Sequence, residues 1–142
     1  MNKSILLAED DEQDAELILA ALQQHGVAHL VALVRDGKEA LDYLHRRGDY
    51  AARPPGNPNL VLLDLAMPGA RGFSVLLHVR GEYPEIPVVI ISSNDHPRVI
   101  RRAQQFGAAG FIPKSTPADT MGAALDAVLA GDNWFPPMVA ER

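Results

Sequence analysis

The stretch Leu60-Val61-Leu62-Leu63-Asp64 is apolar at four successive positions and ends in a carboxylate. A short run that is apolar on both faces, and is soon followed by Pro68-Gly69, predicts a buried strand of a parallel sheet. Ser4 to Ala8 has the same character and leads into Glu9-Asp10-Asp11. Because open parallel sheets bind their ligands at the carboxyl ends of the strands, these acids mark a candidate site.

Strand-like and helical segments alternate along the chain. The predicted strands are Ser4 to Ala8, His29 to Val34, Leu60 to Leu63, Pro87 to Ser92 and Ala109 to Ile112. The first predicted helix follows Asp11, and the second begins at a capping box, Asp36 to Glu39. The third spans Arg71 to Arg80, and the fourth runs from Pro97 to before Gly107. The fifth starts with Thr116 as N-cap and Pro117 at the first position.

Five β-α repeats in 142 residues predict one α/β domain. We expect a doubly wound, five-stranded parallel sheet with helices on both faces. In the flavodoxin-like order 2-1-3-4-5, the first and third strands are neighbours. That order would bring Glu9, Asp10 and Asp64 together, and crowded carboxylates are costly unless a cation is present.

The composition excludes several classes of protein. A hydrophobic content of 47% is that of a globular chain, and the formal net charge of -5 argues against direct binding of nucleic acid. Without cysteine there is no disulfide or thiolate chemistry. We find no signal peptide and no stretch long enough to span a membrane, so a cytoplasmic location is the expectation.

Four motifs follow the predicted strand ends in chain order. They are Leu7-Ala8-Glu9-Asp10-Asp11, Leu63-Asp64-Leu65-Ala66-Met67-Pro68, Ile90-Ile91-Ser92-Ser93, and Gly107 to Lys114. Together they resemble the receiver domain of two-component response regulators, over residues 1–131, with residues 132–142 as a tail or the start of a linker. The front half is similar to single-domain regulators paired with bacterial phytochromes. The back half is similar to receivers that precede a LuxR-type DNA-binding domain.

The resemblance implies that Asp64 accepts a phosphoryl group. The donor of that group would be a sensor histidine kinase or a histidine phosphotransfer protein. It implies Mg²⁺ bound by Glu9, Asp10, Asp64 and the backbone carbonyl of Ala66. All-oxygen ligands suit Mg²⁺, and a carboxylate nucleophile needs the incoming charge neutralised. Glu9 stands where the family usually has aspartate, and it is chemically adequate.

The resemblance also implies how the signal leaves the site. Lys114 and Ser92 would hold the phosphoryl oxygens, and Ser92 with Phe111 would form the switch, Phe111 swinging inward. The face of helix 4, strand 5 and helix 5 would then change for an unknown output protein. The chain would not be an enzyme, beyond accepting the group and slowly losing it. Ser115 replaces the proline that often follows the lysine.

Other interpretations stay open at this point. A constitutive receiver-like module would never be phosphorylated. An aspartate-nucleophile phosphatase of the haloacid dehalogenase type needs a second acid where Ala66 stands, which argues against it. Trp134-Phe135 is expected to pack on the last helix, and a homodimer or partner contact is the alternative. The five histidines have no ligand spacing.

Overall fold

A central parallel sheet organises the chain in this computed structural model, which describes residues 4–24, 30–65 and 73–137. Its strands are β1 (Ile5–Ala8), β2 (Val31–Val34), β3 (Leu60–Asp64), β4 (Val88–Ser92) and β5 (Gly110–Pro113). They lie in the order β2-β1-β3-β4-β5, and each neighbouring pair is parallel. The predicted sheet and its flavodoxin-like order are therefore confirmed.

The helices cover both faces of the sheet. They are α1 (Glu12–Gln24), α2 (Gly37–His45), α3 (Ser74–Glu82), α4 (Pro97–Gln105) and α5 (Ala118–Leu129), with a short 3₁₀ turn at Gly48–Tyr50. Alternate strand residues face opposite layers, because the side chains of a strand alternate. One layer packs α1 and α5 on residues such as Leu7 and Leu62. The other packs α2, α3 and α4 on residues such as Leu6 and Leu63.

The start of α2 matches the predicted capping signal. Asp36 is the N-cap, and its Oδ1 accepts a hydrogen bond of 2.7 Å from the backbone N of Glu39. Glu39 reaches back to the backbone N of Arg35 at 3.3 Å rather than to that of Asp36. The box is thus offset by one residue, and it still satisfies two backbone donors at the end of the helix.

The start of α5 differs from the prediction. Thr116 is not the N-cap, because its backbone N donates to the carbonyl of Pro113 at 3.0 Å within a turn. Pro117 takes the N-cap place, and its carbonyl accepts from Met121 N at 2.9 Å. The helix therefore begins one residue later than proline at the first position would require. Of the predicted third helix, Arg71 lies outside the described residues.

The tail after α5 pairs with the outer edge of β5. Trp134 N donates to Ala109 O at 3.0 Å, and Phe111 N donates to Trp134 O at 3.1 Å. The Trp134 side chain packs in the layer of α1 and α5, while Phe135 packs in the opposite layer. Packing on the last helix was expected for both residues; Trp134 packs in the layer that contains α5, whereas the expectation is wrong for Phe135, which lies across the sheet. The pairing of the tail with β5 was not expected. The division of the chain at residue 131 remains a prediction.

No helix among the described residues is both long enough and apolar enough to cross a membrane.

Candidate functional site

The register between β1 and β3 places two acids side by side. Ala8 pairs with Leu63, so Glu9 and Asp64 are the next residues along two adjacent parallel strands. Both are buried, with 1% and 2% of their surface exposed, whereas Asp10 is exposed. One carboxylate oxygen from each of Glu9, Asp10 and Asp64 lies within 4.8 Å of the others. The structure brings together the three carboxylates that the sequence analysis grouped.

Lys114 reaches this cluster from the loop after β5. Its backbone N donates to the carbonyl of Ser92 at 2.9 Å, which fixes the loop against the end of β4. Its ammonium lies 2.8 Å from Glu9 Oε1 and 3.5 Å from Asp64 Oδ2. The predicted lysine therefore stands within the acidic cluster, where it partly neutralises two buried carboxylates.

Asp14 is a member of the site that the sequence analysis missed. Its Oδ2 lies 2.7 Å from the Lys114 ammonium, the shortest of the three lysine contacts. Asp14 lies in the first turn of α1, and its backbone N donates to Asp11 Oδ1 at 2.9 Å. The available signal was its position one turn beyond Asp10, since α1 begins at the same sheet edge. Asp11 serves as the cap at the start of α1.

Burial sets the electrostatics of the acidic cluster. Loss of water around the carboxyl raises the pKa of Glu9 to about 7, Lys114 opposes that rise, and Asp64 adds to it. Burial lowers the pKa of Lys114, but Asp14 and Glu9 outweigh it and leave that pKa raised. The lysine is therefore held as a cation, and the acid next to it is costly to ionise without further positive charge.

The buried Glu9 Oε1 has no aligned hydrogen-bond donor, even though the Lys114 ammonium is close. A buried carboxylate oxygen in that condition is destabilising unless another partner satisfies it. Together with Asp10 and Asp64 it offers an all-oxygen donor set, which suits a hard divalent cation such as Mg²⁺. The residues present fit such an ion. Ala66, predicted to add its carbonyl, lies outside the described residues.

Ser92 and Phe111 lie on the neighbouring strands β4 and β5. Ser92 is buried at the end of β4, and its Oγ accepts from Asn94 N at 3.0 Å. That leaves the hydroxyl proton to be donated elsewhere. Phe111 is fully buried in β5, where it pairs with Ile90. Phe111 thus already points inward in this conformation, and its role as a switch remains a prediction.

The chain matches the family model of the response regulator receiver domain over residues 5–126. A solved structure, bacteriophytochrome response regulator RtBRR, superposes with a TM-score of 0.80 at 38% identity, covering 99% of this chain and 84% of that one. Response regulator Rcp1 of Synechocystis sp. is 30% identical over 115 residues, which are 80% of this chain and 77% of Rcp1. A crystal structure of the Mn(2+)-bound form of Rcp1 gives a TM-score of 0.77 at 27% identity, covering 91% of this chain and 96% of that one.

Other relatives are longer than this chain. The probable transcriptional regulatory protein NarL of Mycobacterium tuberculosis is 31% identical over 136 residues, which are 95% of this chain and 59% of NarL. The glycerol metabolism activator of Pseudomonas putida is 44% identical over 79 residues, which are 56% of this chain and 36% of that protein. The chain therefore spans between one third and three fifths of the length of these two relatives.

Proposed function

The chain belongs to the response regulator receiver family, and from this premise we propose that it accepts a phosphoryl group on Asp64 in two-component signalling. The predicted resemblance is confirmed, including its mixed character, since relatives include phytochrome regulators and NarL. Receiver domains of this family typically interact with histidine kinases and with output partners. The observation that carries the proposal is the cluster of Glu9, Asp10 and Asp64 with the Lys114 ammonium inside it.

In the proposed reaction a carboxylate oxygen of Asp64 attacks the phosphorus of a phosphohistidine. A bond forms between that oxygen and phosphorus, and the phosphorus–nitrogen bond breaks. Its electron pair leaves with the imidazole of the donor, so the product is an acyl phosphate. Lys114, 3.5 Å from Asp64 Oδ2, donates to the phosphoryl oxygens as negative charge accumulates there.

Magnesium is the cofactor that we propose for this step. When bound, it neutralises charge shared by the carboxylates and the incoming phosphoryl oxygens. Glu9, Asp10 and Asp64 would hold it, and the carbonyl of Ala66 is a further proposed ligand. The buried Glu9 Oε1 without an aligned donor supports this assignment. So does the Mn(2+)-bound form of the relative Rcp1.

Phosphorylation adds charge and strong acceptors, and the side chains nearest to Asp64 respond to them. We propose that Ser92 donates its hydroxyl to a phosphoryl oxygen and that Phe111 holds the new position of the β4-α4 loop. The face of α4, β5 and α5 then changes its affinity for an output protein, or for a second copy of the chain. The phosphodonor is a sensor histidine kinase or a phosphotransfer protein of the cytoplasm.

Intact mass measurement after incubation with Mg²⁺ and acetyl phosphate tests the proposal. The wild-type chain should gain one phosphoryl group, and Asp64→Ala should gain none. Asp11→Asn is the matched control, because it removes the neighbouring acid while asparagine still caps α1, so it should still gain the group. A wild-type chain that stays unmodified, and whose NMR chemical shifts do not change when beryllofluoride is added, would instead support a constitutive interaction module.

A further inference from the structure

Among the described residues, the ammonium of Lys114 has three carboxylate neighbours, and two of them belong to the proposed metal site. Glu9 and Asp64 lie 2.8 and 3.5 Å from it, and Asp14 lies 2.7 Å from it. The ammonium donates hydrogen bonds to Asp14 and Asp64, while its contact with Glu9 Oε1 is an ion pair without hydrogen-bond alignment. Asp14 differs from the others because it lies outside the group of carboxylates that could share a cation.

The two partners in the metal site create a conflict. A divalent cation needs the oxygens of Glu9 and Asp64, while the lysine occupies the same two side chains in this structure. If those were its only partners, a bound cation would compete for both of them and reduce the charge compensation of a lysine whose side chain is 17% exposed. An unpaired charge at such a place is costly.

We propose that Asp14 is a positioning residue that anchors Lys114 independently of the metal ligands. With its ammonium tied to Asp14, the lysine releases Glu9 to a cation and keeps an acidic partner. The anchor also holds the ammonium at the edge of the site, where it meets the incoming phosphoryl oxygens. This inference rests on the proposed function of Asp64 and adds to it a residue that the acidic cluster does not contain.

The local structure supports an anchor rather than a chance surface contact. Asp14 lies in the first turn of α1, held by its backbone bond to the Asp11 cap, and the positive end of the helix dipole favours its charge. The Asp14 side chain is 34% exposed, so water reaches it only in part and screens the ion pair with Lys114 incompletely. Asp14 and Lys114 line one small cleft with Leu17, Ile18 and Met121, between α1 and α5.

The test is a double-mutant cycle read out as Mg²⁺ affinity. Asp14→Asn keeps the shape and removes the carboxylate, and Lys114→Met removes the ammonium. Asp14→Asn alone should weaken Mg²⁺ binding by about tenfold, a coupling typical of contacting charged residues. In the Lys114→Met background the same change should cost about threefold or less, because only a distant charge is lost there.

Two further variants separate an anchor from a general field effect. Glu12→Gln removes one negative charge from the same helical turn, but Glu12 pairs with Arg35 at 3.5 Å, so Mg²⁺ affinity should stay near that of wild type. Asp14→Glu restores a carboxylate and should recover part of the lost affinity. The rate of phosphorylation by acetyl phosphate should follow the same order of variants.

The outcomes distinguish this inference from the proposed function. Equal loss of Mg²⁺ affinity from Asp14→Asn with and without Lys114 would show that the two residues act independently, and would overturn the anchor. Phosphorylation of Asp64 at an undiminished rate in Asp14→Asn would do the same while leaving the proposed function intact. A wild-type chain that binds no Mg²⁺ would contradict the proposed function, and the anchor with it.

Discussion

At the scale of single residues, the site depends on opposite charges kept close in a place with little water. Glu9 and Asp64 are buried side by side, which is unfavourable for two ionised carboxylates. Lys114 offsets part of this cost, and it does so at 2.8 Å from one acid and 3.5 Å from the other. In the proposed function, the remaining negative potential would attract a divalent cation, and the bound cation would allow Asp64 to attack an electrophilic phosphorus.

Ser92→Ala should separate phosphorylation from its consequences. The hydroxyl accepts from Asn94 N at 3.0 Å and can donate its proton to a phosphoryl oxygen, a contact to a charged group worth about 1.5–3 kcal/mol. We expect Asp64 to be modified as in wild type, while the shifts that beryllofluoride induces in the NMR signals of α4 and β5 shrink and partner binding weakens. The exposed neighbour Ser93→Ala is the control and should behave like wild type. Equal responses from both variants would remove Ser92 from the switch.

At the scale of elements, a side chain of α2 and a side chain of α3 form a polar contact that involves none of the acidic residues of the site. His45 Nε2 lies 2.9 Å from His78 Nε2, and His45 Nδ1 lies 2.9 Å from the Tyr83 hydroxyl. Because that hydroxyl donates to Leu44 O at 3.1 Å, it accepts from His45 Nδ1. In the neutral ring of His45, Nε2 then accepts from the Nε2–H of His78, and these bonds join the two helices at this point.

This contact predicts a dependence of stability on pH. Burial, helped by Arg47 and His78, lowers the pKa of His45 below its ordinary 6.5, while Glu82 and Asp42 act against the shift. The unfolded chain therefore binds a proton first as pH falls. The contribution of His45 is present above about pH 6.5 and is lost below it.

Urea denaturation between about pH 5 and pH 7.5 measures this effect. The free energy of unfolding of wild type, minus that of His45→Gln, should fall as the pH decreases through that range. The pKa of Glu9 is raised, so its ionisation lowers the free energy of unfolding as pH rises. Both chains contain Glu9, so subtracting their free energies of unfolding removes this contribution. A difference that is flat with pH would show that His45 is not held neutral.

At the scale of the whole molecule, the tail closes the sheet edge that β5 would otherwise present. An unpaired strand edge invites association with other chains, and proteins commonly cover it. Here Trp134 makes two main-chain hydrogen bonds on either side of Gly110. A Cβ at Gly110 would lie 2.8 Å from Trp134 O, so the close approach of the tail requires glycine at this position.

Gly110→Ala should therefore lower the free energy of unfolding by about 1–3 kcal/mol and expose Trp134. Thermal or urea unfolding, followed by tryptophan fluorescence, measures both effects. Gly81→Ala is the matched control, because no atom lies within 4 Å of the added Cβ in α3, and it should stabilise the chain by up to about 1 kcal/mol.

A truncated variant that ends at Gly131 tests whether the tail is the source of the destabilisation by Gly110→Ala. Without the tail, Gly110→Ala should have little effect on stability, because the atom that clashes has been removed. An equal loss in both chains would mean that the penalty arises within the sheet, against Val89 or Val128. The same truncation tests whether the predicted domain of residues 1–131 folds without its tail.

The sequence by itself determined the alternation of strands and helices and the acids at two strand ends, while the order of the strands was an expectation taken from the fold class. Apolar runs ending in acids are local patterns, and parallel sheets with right-handed crossovers leave few arrangements for them. Glu9, Asp10, Asp64, Ser92 and Lys114 could therefore be named before any coordinates, because each lies within two residues of a strand end and the family resemblance implies a role for it. The start of α5 was misplaced by one residue, since both Thr116 and Pro117 carry signals for a helix start.

Only the tertiary structure decided which long side chains meet. Asp14 is separated from Lys114 by 100 positions, and nothing in the spacing of either residue indicates the other. The same holds for His45 with His78, for the inward position of Phe111, and for the tail on β5. The physical reason is that side-chain contacts between elements depend on how helices pack on the sheet, within fractions of an ångström, whereas hydrophobic periodicity records only which face is buried.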